Sequence, residues 1–202
     1  MKYLFIDTCT SHLIVSLIID GKIVSYFNEK INKGMSNYIL PEIERQLKNN
    51  NIVASSIDAI FVSNGPGSFT GIRVGLTIAK VYAWSLNIKV IPISSLEVLA
   101  STPSNSNNLA LMDARRGYVF LGAYDQDLNP IIKDSYLLYN KDNYDDYNII
   151  SYDDFEGSNE PNIDILKVIK KHENDKGINP HKLNPNYLKL TEAEEKLNDK
   201  RD

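Results

Sequence analysis

The segment that most limits how this chain can fold is Asn64-Gly65-Pro66-Gly67-Ser68-Phe69-Thr70-Gly71. Neither a helix interior nor a strand tolerates that density of glycine and proline, so the chain must turn there. Residues 57–63 (Ile-Asp-Ala-Ile-Phe-Val-Ser) read as a buried strand before the turn, and residues 69–86 read as a long helix after it. A helix N-terminus that follows a glycine turn points free N–H groups and a positive dipole end outward. Ser68, Thr70 and Arg73 therefore make a candidate anion site. A tight strand-to-helix turn explains the same residues, and the two readings are compatible. The Walker pattern, which needs Gly-Lys-Ser/Thr, is absent, and the glycine spacing differs from the dinucleotide fingerprint.

The helix carries Ile72, Leu76, Ala79, Ala83 and Leu86 on one face. Val74, Ile78, Val81 and Trp84 spread apolar surface to its other sides, and its only charged residues are Arg73 and Lys80. Arg73, Thr77, Lys80 and Trp84 fall on a single stripe. A tryptophan on the most polar stripe of an apolar helix is unusual for a solvated surface, and Trp and Arg are the residues most enriched where proteins dock. The helix reads as covered twice, by its own core and by another chain; the competing reading places Trp84 in the core.

Upstream, strands at 2–7, 12–19 and 22–28 surround Asp20-Gly21, a two-residue hairpin signal. Residues 35–48 form a helix with Leu40, Ile43 and Leu47 on one face, with Pro41 expected to kink it near Asn37. Downstream come a strand at 89–93 and a short helix to Ala100 capped by Ser94 or Ser95. A hairpin ahead of the first helix makes the sheet mixed within an α/β order. The polar run 102–108 divides the chain into a lobe at 1–103 and a smaller one at 104–202. The second lobe carries strands at 109–113, 118–124 and 131–139, loops around short strands at 140–162 and a helix near 163–172. The polar tail after Thr191 has too little apolar surface to pack.

Net charge is −4, so no basic excess supports direct nucleic-acid binding. The lone Cys9 fits a reducing, intracellular setting and reads as a small buried hydrophobe rather than a nucleophile. The N-terminus lacks the ~7–15 apolar residues of a secretory signal. No window reaches the ~20 of a membrane span, so a cytoplasmic protein is expected.

Asp7-Thr8-Cys9-Thr10-Ser11 closes the first strand with an acid and hydroxyls, which suits either a metal water and a phosphate or a self-bonded turn. His12 reads as structural, and His172 and His181 as solvated; none pairs at ligand spacing. No metal site or catalytic triad assembles from this inventory. A protease reading would need one or the other.

Ile6-Asp7-Thr8, residues 36–41 (Ser-Asn-Tyr-Ile-Leu-Pro) and above all residues 65–75 (Gly-Pro-Gly-Ser-Phe-Thr-Gly-Ile-Arg-Val-Gly) closely resemble the bacterial TsaB family, also called YeaZ. So do Ser94-Ser95-Leu96, residues 113–119 (Asp-Ala-Arg-Arg-Gly-Tyr-Val) and Pro185-Asn186-Tyr187-Leu188. The resemblance runs from residue 4 to about 194 and is weak over 140–180. It implies a two-lobed actin-like (ribonuclease H-like) α/β fold with mixed sheets flanked by helices. It implies a catalytically silent subunit that pairs with TsaD, the threonylcarbamoyl transferase acting on adenosine 37 of tRNA, and that is joined by the ATPase TsaE. tRNA would be met only through the complex, and the isolated chain would form a homodimer.

In that family the first two helices build the partner surface, which here maps to Met35, Tyr38, Ile39, Arg73, Thr77, Lys80, Val81 and Trp84. Asp7, Thr8 and Thr10 would be a vestigial phosphate loop, with no cofactor and no metal. The first helix has no His-x-x-x-His, and Met35-Ser36 stands where the family usually has His-Ser. Arg115 and Arg116 occupy the place of the second phosphate loop, so ATP is expected to bind weakly or not at all. A small-molecule kinase or ATPase of the same fold is the alternative.

Overall fold

The computed structural model describes residues 1–189; the tail after Thr191 lies outside them. The chain opens with β1 (Lys2–Asp7), β2 (His12–Ile19) and β3 (Lys22–Lys30). Asp20 and Gly21 join β2 to β3 with φ of 48° and 73°, the left-handed pair that a two-residue hairpin requires. Next come α1 (Ser36–Asn49), β4 (Ala59–Ser63), α2 (Phe69–Leu86), β5 (Lys89–Ile93) and α3 (Ser95–Ala100). The first sheet has the order β3-β2-β1-β4-β5. Its hairpin side is antiparallel, and β1, β4 and β5 run parallel. The sheet is mixed, as the early hairpin implies.

In α1 the buried side chains are Ile39, Ile43 and Leu47, with Glu42 and Gln46 between them. The inward stripe thus starts one residue earlier than the expected Leu40, which is exposed. Gln46 explains the register: its amide donates to the Val15 carbonyl at 2.9 Å and to Glu42 at 2.8 Å, so that edge of the helix must face the sheet. The helix continues through Pro41 to Asn49. The limits of α2 coincide with those read from the sequence. The Ser68 hydroxyl accepts from the Gly71 N–H at its start, and Asn87 adopts the left-handed conformation at its end.

The second sheet has the order β8-β7-β6-β9, from β6 (Asn108–Asp113), β7 (Tyr118–Tyr124), β8 (Pro130–Leu138) and β9 (Asn148–Ile150). It is followed by α4 (Ile165–His172). One apolar core joins Phe5, Phe61 and Ile93 of the first sheet to Ala110, Met112 and Tyr124 of the second through Leu96, Leu99, Val168 and Ile169 of α3 and α4. The polar run between the sheets is tied down. The Asn108 amide is buried and donates to the carbonyls of Ala100 at 2.8 Å and Thr102 at 2.6 Å.

Nor does everything after residue 104 stay with the second sheet. Ile178 bridges to Val90 on β5, Leu183 is buried in the core beneath α2, and the Asn186 N–H donates to the Asn64 carbonyl at 2.7 Å. The segment 178–187 is therefore a strap on the first lobe. No helix among the described residues is long and apolar enough to cross a membrane.

Candidate functional site

The inner side of α2 explains the glycines. The Thr8 hydroxyl donates to the Gly71 carbonyl at 2.7 Å, and the Ser68 N–H donates to the Cys9 carbonyl at 2.7 Å. A Cβ at residue 71 would run into the Thr8 carbonyl oxygen, and one at 75 into the Thr8 hydroxyl. Gly67, at φ +144°, has the Cys9 carbonyl where its side chain would be. The turn and the helix are pressed against the end of β1, and only hydrogen atoms fit between them.

This packing turns Asp7 and Thr8 inward. Both are buried. Asp7 accepts from the Cys9 N–H at 2.7 Å and from the Ser63 hydroxyl at 2.6 Å. Burial raises its pKa, and the bonds from Ser63 and Cys9 oppose that rise. At Asp7 and Thr8 the structure holds the self-bonded turn, one of the two readings of this stretch; of the three residues Asp7, Thr8 and Thr10, only Thr10 reaches the space beyond. Cys9 is a buried thiol whose pKa burial raises well above its usual range, as expected of a core residue.

That space is a cleft of about 490 Å³ between the lobes, walled by Thr10, Ser68, Thr70, Phe120, Arg115 and Asp153 among others. Ser68 and Thr70 lie on it, but the Ser68 hydroxyl already caps the helix. Arg73 is turned away onto the outer surface, so the three residues do not converge on one anion. Across the cleft, Arg115 and Arg116 both hold left-handed backbone, at φ 69° and 58°. The Asp113 carboxylate accepts from the Arg115 N–H at 2.7 Å and closes that hairpin. Among the described residues, no His, Cys, Asp and Glu side chains gather in a group that could hold a metal ion.

On the outer side of α2 the expected stripe is present. Arg73 and Thr77 are exposed, Lys80 is half-buried, and Val81 and Trp84 are 55% and 66% exposed. Trp84 is therefore not a core residue. From α1, Tyr38 joins the stripe at 49% exposure and Met35 is half-buried. Ile39, expected in this surface, is fully buried in the chain's own core and has no area to offer a partner.

Three aromatic residues that the sequence reading did not place on this surface border it. Phe69 is 47% exposed, with the Arg73 guanidinium 4.0 Å from its ring centre. Tyr187, from the strap, stacks on Phe69 at 5.1 Å and accepts from Arg73 Nε at 2.8 Å. His181 meets Trp84 edge-on at 6.3 Å. Phe69 reads in sequence only as the first residue of a helix, and no local signal shows that residues more than a hundred positions later return to it.

The other histidines divide. His12 stacks on Tyr152 at 3.7 Å, a structural role as expected. His172, expected in solvent, lies instead between Glu97 at 2.7 Å and Asp175 at 2.8 Å.

Compared with known proteins, residues 29–141, more than half of the chain, match the family described as "TsaD: tRNA N6-adenosine threonylcarbamoyltransferase". The chain is 35% identical over 126 residues to the "tRNA threonylcarbamoyladenosine biosynthesis protein TsaB" of Bacillus subtilis, covering 61% of this chain and 55% of that protein. It is 34% identical over 135 residues to the protein of the same name from Escherichia coli, covering 65% and 58%. The match thus spans little more than half the length of these curated relatives. The solved structure of YeaZ from Pseudomonas aeruginosa superposes with a TM-score of 0.78 at 22% identity, covering 93% of this chain and 99% of that one. The fold is thus the two-lobed, actin-like arrangement of mixed sheets flanked by helices.

Proposed function

This chain belongs to the TsaD family of tRNA N6-adenosine threonylcarbamoyltransferases, on its TsaB (YeaZ) branch, and from that membership we propose that it is a non-catalytic subunit of tRNA threonylcarbamoyladenosine biosynthesis that works by docking TsaD. The observation that carries this reading is the uncovered outer stripe of α2, where Val81 and Trp84 stand in water on the same side of the helix as Arg73 and Lys80. A large exposed apolar group flanked by cations is costly on a surface that meets only solvent and typical of one that meets a protein. TsaE joins the pair, tRNA is met through the complex, and the lone chain pairs with itself through the same face. The work is cytoplasmic.

The lack of catalysis rests on the self-bonded Asp7, whose two oxygens are engaged by Cys9 and Ser63 rather than turned toward the cleft. A small-molecule kinase would need that carboxylate at its phosphates, and no observation favours one. The test is Trp84→Glu. It should weaken binding to TsaD by at least about 30-fold in titration calorimetry while the thermal melt stays at the parental temperature. Binding at parental strength would refute the docking face.

A further inference from the structure

The motif Pro185-Asn186-Tyr187-Leu188 borders the outer stripe of α2 through Tyr187, and the chain holds it at several points. Leu183 anchors it in the core beneath α2. Asn186 bonds Asn64, and the Asn186 carbonyl lies where a Cβ on Gly65 would be, so the glycine turn is shaped to admit this strap. At the far end the Lys189 ammonium sits 5.4 Å from the ring centre of Tyr136 on β8. Between these points Tyr187 fixes Arg73: its hydroxyl takes the Nε hydrogen, and its ring stacks on the Phe69 ring that the guanidinium overlies. Among the described residues the two terminal nitrogens of Arg73 make no hydrogen bond. They are presented outward in one orientation, in the fork geometry that matches a carboxylate.

We propose that the end of the strap, with the residues that follow it to Lys189, is a working part of the partner surface, in which Tyr187 is the positioning residue that presets Arg73 to grip a carboxylate on the docked partner. The inference rests on the docking reading above. The occupant it commits to is an aspartate or glutamate side chain on TsaD, on the same docked surface as the apolar groups that cover Val81 and Trp84, about two to three helical turns further along α2. Charge supports that choice. α2 carries Arg73 and Lys80 and no acid, and residues 178–189 add His181, Lys182 and Lys189, again with no acid. The chain as a whole is acidic, with a net charge of −4. A basic face on an acidic protein is complementary to an acidic partner surface.

The experiment is calorimetric titration of the TsaD protein of the same organism into the full chain at low and high salt. The chain is tested as the parent, Tyr187→Phe, Arg73→Gln, the double variant and Trp84→Glu. Tyr187→Phe keeps the ring and loses only the hydroxyl that orients Arg73. It should bind about 3- to 10-fold more weakly. Arg73→Gln should cost more and flatten the salt dependence. In the double variant the Tyr187 change should add nothing further, because its effect runs through Arg73. A merely structural tyrosine would give additive losses, and additivity overturns the proposal. So does parental binding by Tyr187→Phe while Trp84→Glu loses binding, an outcome that leaves the docking face intact. If Trp84→Glu binds like the parent, the docking face itself falls and this inference with it.

Discussion

On its inner side α2 lies so close to the end of β1 that residues 71 and 75 have no room for a side chain, whereas on its outer side it leaves Val81 and Trp84 uncovered. Both sides carry apolar residues in sequence, and the contrast shows that hydrophobicity alone does not say what a helix faces. The inner side is governed by closeness. Glycine there is a fit to the Thr8 carbonyl and hydroxyl, and an added carbon meets backbone that cannot move. The outer side has no such constraint from the fold. It carries Val81 and Trp84 among Arg73, Thr77 and Lys80, and the fold leaves both apolar side chains mostly uncovered. One side specifies the structure, and the other is available for recognition.

The contrast extends to α1, where it makes the largest prediction. Ile43 is fully buried and Tyr38 half exposed, five residues apart on one helix. Ile43→Ala should cost about 2–5 kcal/mol of unfolding free energy, and Tyr38→Ala less than about 0.5 kcal/mol, both read from urea denaturation. Equal losses would mean that the outer side is as structural as the inner. Within α2 the expected effect is smaller but more specific. Alanine is ordinarily the better helix former by about 1 kcal/mol. At position 71, however, its methyl would meet the Thr8 carbonyl, and overpacking should turn the balance into a net loss of about 1–3 kcal/mol. A Gly71→Ala protein more stable than the parent would break the idea that closeness sets this side.

What the sequence reveals follows the same line. The limits of α2, a serine cap at Ser94 or Ser95, the hairpin at Asp20-Gly21 and the burial of Cys9 were legible, because each depends on neighbours in the chain. Arg73 and Trp84 were legible as an odd stripe. Ile39 was misplaced because the register of α1 is set by Gln46 reaching Val15, a tertiary bond with no local signature. Tyr187 and His181 went unplaced for the same reason: the strap arrives from the far end of the chain. The pattern at Asp7 and Thr8 left two readings open because the sequence shows which polar groups are present, not that Ser63 and Gly71 already engage them.

The smallest predicted effect tests the contrast where burial and charge are reconciled rather than separated. His172 ends α4 with Nε2 at 2.7 Å from Glu97 and Nδ1 at 2.8 Å from Asp175. Lys171 stands 3.3 Å from the same Glu97 oxygen. The hydrogen bond to Glu97 holds the imidazole pKa above its ordinary value, against the opposing effect of burial, with Asp175 adding to the rise. Because the folded pKa lies above the unfolded value of about 6.5, the protonated ring stabilises the fold fully below that pH. The contribution is lost as pH rises through the folded pKa. Lys171 already partly neutralises Glu97 and Asp175 is exposed to water, so the contribution should stay under about 1 kcal/mol. Urea midpoints of the parent should therefore fall from pH 5.5 to 8.5 relative to those of His172→Gln, and the two curves should converge at the alkaline end. Parallel curves would mean that the imidazole titrates as it does in the unfolded chain and that this junction of α3 and α4 is held by packing alone.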